Sequence, residues 1–407
     1  MTDKSYSFMQ LACRIAFSRI GLTSPNPAVG AVIVKNGEAA GTGGTGPFGS
    51  DHAEVRAIKD ARSKGIDLTG AEIYVSLEPC SHYGKTPPCT EAIIESGISR
   101  VYVAVKDPNP LVAGKGIARL AESGVDVVME DQFLNMGYDL IRGFKKLILQ
   151  KKPFVVSKSA ITLDGRIATS AGDSKWISNQ YSRFISHKLR AKSDAIIIGK
   201  NTYESDNPSL DVRMTDFSRG AEDYFSDENF TFSGYDNFYL RELLTAEITG
   251  YHDPLRVMAG IPEIFHEKSK FFKDDNYVIA ADGEEFKAAV KRHGAETLNK
   301  LNLEIAPPLS DGEMAEYILD MLQRRGVLSV MLEGGAGLNS AFFKSGSIDQ
   351  FMYFIAPKVA GNGIAPLNNT GSAMMAEALN LHDVSTVLID NDLLYNAYGE
   401  EYKCIEM

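Results

Sequence analysis

Residues 71–89 read Ala-Glu-Ile-Tyr-Val-Ser-Leu-Glu-Pro-Cys-Ser-His-Tyr-Gly-Lys-Thr-Pro-Pro-Cys. The first seven have the β-branched and aromatic content of a buried strand, and the prolines that follow break it into a loop. Cys80 sits just beyond the strand, and Cys89, after Pro87-Pro88, opens the next helix. Both thiols can therefore converge from one loop, and a helix N-terminus favours the thiolate form. Upstream, His52-Ala53-Glu54 begins a helix after the turn Gly46-Pro-Phe-Gly-Ser-Asp51. Two residues are about 200° of helical rotation, so His52 can hold a metal while Glu54 faces a bound water.

Either motif alone says little, since most His-x-Glu pairs and most cytosolic cysteine pairs hold no metal. Their conjunction, with a proline before each cysteine, reads as a catalytic zinc site. One imidazole (His52) and two thiolates (Cys80, Cys89) leave the fourth tetrahedral position open to water. Zinc lowers the pKa of that water towards about 7. Glu54 is then placed to carry its proton to a ring nitrogen and onward to departing ammonia, which is hydrolytic deamination of a small aminopyrimidine. His82, inside the loop, is a rival ligand, a substrate contact or a plain loop residue.

Working outward, residues 28–35, 71–77, 100–106 and 125–129 are β-rich. Helical patterns lie between them at 52–64, 88–96 and 115–123, the last ending at Gly124. A three-layer α/β domain is expected over residues 1–150. Its last helix, within 132–150, has apolar residues at helical spacing and stops before Pro153, where a second domain over 153–407 is expected to begin. That half again reads as α/β, with strands at 154–158, 195–199, 328–332, 350–355 and 384–389. Residues 214–253 interrupt it with acidic and aromatic residues lacking a period, and are read as an insertion whose aromatics pack.

The 407-residue chain is 44% hydrophobic and 23% charged, with a formal net charge of −11 and a pI near 5.3. It is too long for one typical core. Its acidity argues against binding nucleic acid through phosphate neutralisation. No run approaches the roughly 20 apolar residues that span a bilayer, and the N-terminus lacks a signal core. A cytoplasmic protein with no membrane partner is expected. Of its four cysteines, Cys13 and Cys404 lie in apolar-patterned surroundings, so Cys80 and Cys89 make a metal pair rather than part of a disulfide framework.

Thr23-Ser-Pro-Asn-Pro-Ala-Val-Gly30, His52-Ala-Glu54, Leu77 to Cys89, and Asp107-Pro-Asn-Pro110 with Val112-Ala-Gly-Lys-Gly116 together resemble the bifunctional pyrimidine deaminase/reductases of riboflavin biosynthesis. Eight residues separate the two cysteines, whereas nucleoside and nucleic-acid deaminases usually place two there. The resemblance implies a cytidine-deaminase-like first domain that removes the 2-amino group of 2,5-diamino-6-ribosylamino-4(3H)-pyrimidinone 5′-phosphate. Asn26 would bind the ring edge, its amide offering donor and acceptor. Where the family often carries a histidine this chain has Thr45, read as a difference in substrate contact.

The second half resembles the family's dihydrofolate-reductase-like domain through Lys158-Ser-Ala-Ile-Thr-Leu-Asp-Gly-Arg166, Ser174-Lys-Trp-Ile-Ser178, Leu189-Arg190, Asp206-Asn-Pro208 and Glu333-Gly-Gly-Ala-Gly337. The match is strong over 153–213 and 327–363. Read physically, the glycine run after a buried strand can offer backbone amides and a helix dipole to a cofactor phosphate. Arg190 and Arg213 can fork onto a substrate phosphate. The resemblance implies NADPH contacts at Ala160, Trp176, Thr202, Asp206, Gly335, Ala336 and Gly337, and substrate contacts at Lys158, Ser174, Arg190, Leu210, Arg213 and Glu333. The implied reaction is hydride transfer that turns the ribosyl side chain into ribityl, with a small phosphorylated aminopyrimidine as substrate and a homo-oligomer as the assembly. Ala259-Gly260 stands where the family commonly has an acidic and a hydroxyl residue, so a working deaminase joined to a catalytically silent reductase-like module is the alternative.

Overall fold

The computed structural model describes residues 3–83, 87–214, 224–225 and 230–399. Gly84, Lys85 and Thr86 of the cysteine loop, Cys404, and residues 215–223 and 226–229 of the insertion lie outside them. The chain forms two compact units, Met1–Lys151 with Asn237–Gly250, and Lys152–Asp236 with Tyr251–Met407.

The first unit is built on a five-stranded sheet in the order β2-β1-β3-β4-β5, comprising β1 (Gly30–Lys35), β2 (Glu38–Gly44), β3 (Glu72–Val75), β4 (Arg100–Val103) and β5 (Asp126–Met129). Asn36 and Gly37, both with positive φ, turn β1 into its antiparallel partner β2, the backbone a two-residue hairpin requires. From β3 to β5 the sheet is parallel. The ends of parallel strands face one edge, and here the ends of β3 and β4 run into the loops that carry Cys80 and Asp107. Ile33, Ile73, Val75, Val101 and Val103 form the core of the sheet, packed on Ala57 and Ala61 of helix Ala53–Ser63.

β2 reads Glu-Ala-Ala-Gly-Thr-Gly-Gly, poor strand material. Its glycines have a steric reason. A Cβ on Gly43 would lie 2.2 Å from the carbonyl oxygen of Ala53, so only glycine lets the helix that starts at Ala53 rest on the sheet.

Helix Phe238–Thr245, drawn from the middle of the insertion, belongs to this first unit. Tyr239, Leu240, Leu243 and Leu244 are buried. Tyr239 stacks under the Arg142 guanidinium at 3.5 Å and meets the edge of Phe17 at 5.4 Å, and Glu242 pairs with Arg14 at 3.1 Å. Arg14 and Phe17 lie on helix Asp3–Arg19, which the sequence pattern does not anticipate, and Arg142 on helix Leu134–Gln150. Packing of aromatics across these helices explains a segment with no period of its own. It also raises Cys13 to about 12, through burial and the nearby Glu242 charge.

The second unit holds a ten-stranded sheet in the order β11-β10-β9-β7-β12-β6-β13-β15-β14-β8. Its strands are β6 (Phe154–Thr162), β7 (Ala195–Gly199), β8 (Phe232–Gly234), β9 (Leu255–Ala259), β10 (Tyr277–Asp282), β11 (Leu303–Ala306), β12 (Ser329–Leu332), β13 (Gln350–Ala356), β14 (His382–Ile389) and β15 (Asp392–Tyr398). Pairing is parallel from β11 through β13 and antiparallel from β13 to β8. Pro153 immediately precedes β6, after Lys151 closes helix Leu134–Gln150 in the left-handed conformation. The strands at 277–282, 303–306 and 392–398 are ones the sequence reading leaves uncalled.

Tyr239→Ala removes a buried ring that three helices share, and large-to-small core changes of this kind cost about 3–5 kcal/mol. Native-state hydrogen exchange should show helix Asp3–Arg19 losing protection by about that amount while β12 amides are unaffected. Unchanged protection would show that the helix merely lies on the surface.

Candidate functional site

His52 is the residue before helix Ala53–Ser63, with extended backbone, and Glu54 stands in its first turn. Cys89 opens helix Cys89–Glu95. These elements bring His52 Nδ1 to 3.2 Å from Cys89 Sγ and 3.5 Å from Cys80 Sγ, with the two sulfurs 3.4 Å apart. Tetrahedral zinc, with bonds of about 2.3 Å to sulfur and about 2.0 Å to nitrogen, spaces its ligand atoms roughly 3.5–3.8 Å apart. The three donors thus fit zinc with shifts of a few tenths of an ångström. Among the described residues they form the one group of three or more metal-type donors within such reach.

The two thiols are electrostatically unequal. Hydrogen bonding with Cys89 and with His52 pulls Cys80 down to about 4 despite burial, while the same pairing and burial hold Cys89 well above the usual thiol range. The Cys89 backbone N–H also donates to Cys80 Sγ at 3.3 Å. Glu54 is only 3% exposed. Burial, then the Cys80 charge, push it up to about 7.

These groups open into a cavity of about 240 Å³, whose lining includes Asn26, Thr45, His52, Glu54, Glu78 and Cys80. Asn26 is therefore brought to the metal group. Thr45 is buried, and its hydroxyl accepts the Val29 N–H at 3.0 Å, so it braces the chain after Asn26. His82, Asp107, Asn109, Val112 and Phe144 also line this space. The sequence gives these five no individual role beyond the His82 alternatives, although Asp107-Pro-Asn-Pro signals a turn beyond a strand.

In the second unit, β12 pairs with β6 so that Leu332 lies opposite Ser157. One residue further, Glu333 stands beside Lys158, its carboxylate 3.2 Å from Lys158 Nζ. Arg190, near the end of helix Gln180–Ala191, reaches the other Glu333 oxygen through two nitrogens at 2.6 and 3.0 Å. Burial favours the neutral acid, but Arg190 and then Lys158 overcome it and hold Glu333 at about 2. Arg190 also donates to the Asp211 carbonyl at 3.0 Å, and Arg213 pairs with the Asp211 carboxylate at 3.2 Å. Leu210 is buried there with φ 54°. His187, unforeseen in the sequence, accepts the Arg213 N–H at Nδ1, 3.1 Å away. Burial, then Arg190 and Arg213, press its pKa down to about 4, which keeps that nitrogen free to accept.

A second cavity, of about 700 Å³, opens at the carboxyl ends of β7, β9, β10 and β12. Ser174, Thr202, Asp206, Gly335, Ala336 and Gly337 line it, as do Ala259-Gly260. Thr202 Oγ1 accepts the Gly335 N–H at 3.2 Å, and Gly335 precedes helix Ala336–Lys344. A Cβ on Gly337 would meet nothing within 4 Å, so the approach to this helix start is open to a dinucleotide phosphate. The cavity's size and glycine-lined helix start fit NADPH. Two expected contacts are placed elsewhere: neither Ala160 nor Trp176 lines the cavity. Trp176 is 65% exposed with the Arg183 guanidinium 4.7 Å from its ring.

Two family models match the chain: the cytidine and deoxycytidylate deaminase zinc-binding region over residues 2–105, and the RibD C-terminal domain over 153–395. The riboflavin biosynthesis protein RibD of Aquifex aeolicus (strain VF5) is 34% identical over 395 residues, 96% of this chain and 97% of that protein. That of Bacillus amyloliquefaciens is 32% identical over 401 residues, 97% and 96% of the two chains. Among solved structures, the diaminohydroxyphosphoribosylaminopyrimidine deaminase/5-amino-6-(5-phosphoribosylamino)uracil reductase of Thermotoga maritima aligns with a TM-score of 0.76 and 30% identity, covering 97% of this chain and 99% of that one. Acinetobacter baumannii RibD aligns with a TM-score of 0.74 and 29% identity over the same shares.

Because the folded-state pKa of Glu333 is depressed to about 2, its ionised form stabilises the fold above the ordinary carboxylate range, and that contribution disappears as pH falls through the folded value. The stability difference between the wild type and Glu333→Gln should be constant above about pH 5 and shrink towards pH 2. Denaturant titrations across that range measure it, and a difference independent of pH would contradict the ion-pair assignment.

Proposed function

The chain belongs to the RibD family of riboflavin biosynthesis proteins, and from that premise we propose that it performs two consecutive reactions on one phosphorylated aminopyrimidine. The first unit hydrolyses the 2-amino group of 2,5-diamino-6-ribosylamino-4(3H)-pyrimidinone 5′-phosphate. The second reduces the ribosyl side chain of the resulting 5-amino-6-(5-phosphoribosylamino)uracil to ribityl with NADPH. The observation that carries this reading is the meeting of His52, Cys80 and Cys89 within reach of one metal ion, with His52 and Cys80 lining one cavity together with Glu54 and Asn26.

His52, Cys80 and Cys89 would hold zinc, which would supply a water of lowered pKa as nucleophile. Glu54, buried beside these donors, would carry a proton to the ring nitrogen and later one to the amino group leaving as ammonia. Its burial excludes bulk water from the exchange. Asn26 presents amide donor and acceptor to the ring edge and orients the aminated carbon.

In the second unit, the cofactor supplies the hydride, and the protein supplies orientation. Thr202, Asp206 and the 335–337 backbone would receive NADPH, and Ser174, which lines the same cavity, would contact the substrate. Lys158, Arg190 and Arg213 gather around Glu333 and Asp211. Guanidinium forks of this kind suit a ribose phosphate, and Glu333 fixes the two cations it pairs with. Family membership supports reading the protein as a cytoplasmic homo-oligomer, which sedimentation of the purified chain would check.

The two-step reading is tested with the purified protein, the diaminopyrimidinone phosphate and NADPH. One ammonia per substrate, followed by oxidation of one NADPH, is expected; ammonia without NADPH oxidation would leave the second unit a silent module. Glu54→Gln should keep its zinc and lose ammonia release by about 10²–10⁴-fold, with reduction of ready-made deaminated substrate unaffected. Cys89→Ser should lose the metal, and stoichiometric zinc in that variant would remove Cys89 from the ligand set.

A further inference from the structure

Glu78 lies two residues before Cys80, is buried, and lines the deaminase cavity, yet it is neither a metal-type ligand of the group nor the proton carrier. Its carboxylate is fully engaged with backbone. Oε2 accepts the N–H groups of Asp107 at 3.2 Å and Gly114 at 3.0 Å; Oε1 accepts those of Gly116 at 2.9 Å and Ile117 at 3.4 Å. Four donors saturate the lone-pair sites of a carboxylate, so Glu78 has no oxygen left for a substrate. All four come from one stretch, residues 107–117, whose Asp107, Asn109 and Val112 face the same cavity.

Within the stretch, the N–H groups of Val112 and Ala113 donate to the Asn109 carbonyl at 2.8 Å and that of Lys115 to the Val112 carbonyl at 3.0 Å, and helix Lys115–Glu122 begins there. Asp107 and Asn109 each accept an N–H from two residues further on, which shapes the turn but does not anchor it. Close packing completes the anchor: a Cβ on Gly116 would lie 2.0 Å from the Pro79 carbonyl oxygen and 3.2 Å from Glu78 Oε1. Glycine is required where the 107–117 stretch lies against the residues that lead into Cys80.

We propose that Glu78 is the positioning residue of the deaminase site, a buried clamp that sets the substrate-facing stretch 107–117, a loop running into the first turn of helix Lys115–Glu122, at a fixed distance from the zinc-ligand loop. It acts on ground-state placement of the substrate through Asp107, Asn109 and Val112, and not on the proton transfers. The inference rests on the deaminase reading of this cavity. Gln cannot replace Glu78, because its NH₂ would face backbone N–H groups that need an acceptor.

The test uses the full-length zinc protein carrying Glu78→Gln, with NADPH oxidation on deaminated substrate as the control for overall folding. KM for ammonia release should rise at least tenfold with kcat within threefold of wild type and zinc still stoichiometric. Amide exchange at Asp107, Gly114, Gly116 and Ile117 should accelerate at least a hundredfold. An unchanged KM, a fall in kcat alone, loss of zinc, or unchanged exchange would each overturn the proposal. Gly116→Ala displaces the same loop while leaving Glu78 intact, so it serves if the Gln variant does not fold; it should give the same KM shift, and an unchanged KM would overturn the proposal equally. The exchange measurement is independent of chemistry, so accelerated exchange in a protein whose wild type releases no ammonia would refute the deaminase reading and leave the clamp standing.

Discussion

One imidazole and two cysteine sulfurs held within 3.5 Å of one another are the constraint on which the first unit is organised. They come from two segments, and each must be delivered without slack. The parallel order β3-β4 aims the cysteine loop and the 107–117 stretch at one sheet edge, while the hairpin β1-β2 gives the His52 helix a floor of glycines to rest on. A bulkier residue at Gly43 would lift that helix, and with it His52 and Glu54, away from the thiols. Chemistry that needs three ligands and an open fourth position therefore reaches back into the composition of a strand that contributes no ligand.

The second unit solves a different problem. Glu333 is a largely buried carboxylate, a state that costs free energy unless it is paired. Lys158 and Arg190 pair it from two directions, so the cations are held in place before any substrate arrives. His187 and Asp211 extend the arrangement to Arg213. Such a network is an expensive way to stabilise a fold and an effective way to fix cations for an anionic ligand. The adjoining cavity at the ends of four parallel strands follows the general rule for open α/β sheets, in which ligands lie beyond the carboxyl ends of strands.

The meeting of His52, Cys80 and Cys89 was legible in the sequence because its signals are local: a histidine at a helix start, prolines that end a strand and open a helix, and cysteines beside them. The alternating strands and helices of the first 150 residues were legible for the same reason, through period and punctuation. Glu78 was quoted in the motif but given no task, since its four partners lie 29 to 39 residues away and no spacing rule exposes a side chain that binds backbone. β2 hid behind its glycines, which answer to a neighbouring helix and not to strand propensity. Helix Phe238–Thr245 hid in an aperiodic segment because its partners are Phe17, Arg14 and Arg142, more than 90 residues upstream. Trp176, named a cofactor contact by resemblance alone, stands largely in solvent with the Arg183 guanidinium near its ring.

The central claim is that this chain holds zinc through one histidine and two cysteines and keeps a coordination position for the reaction. X-ray absorption at the zinc edge of the purified full-length protein measures that most directly. The account predicts two sulfur ligands at about 2.3 Å and two nitrogen or oxygen ligands at about 2.0–2.1 Å. A four-sulfur shell, or an environment with no sulfur, would contradict it.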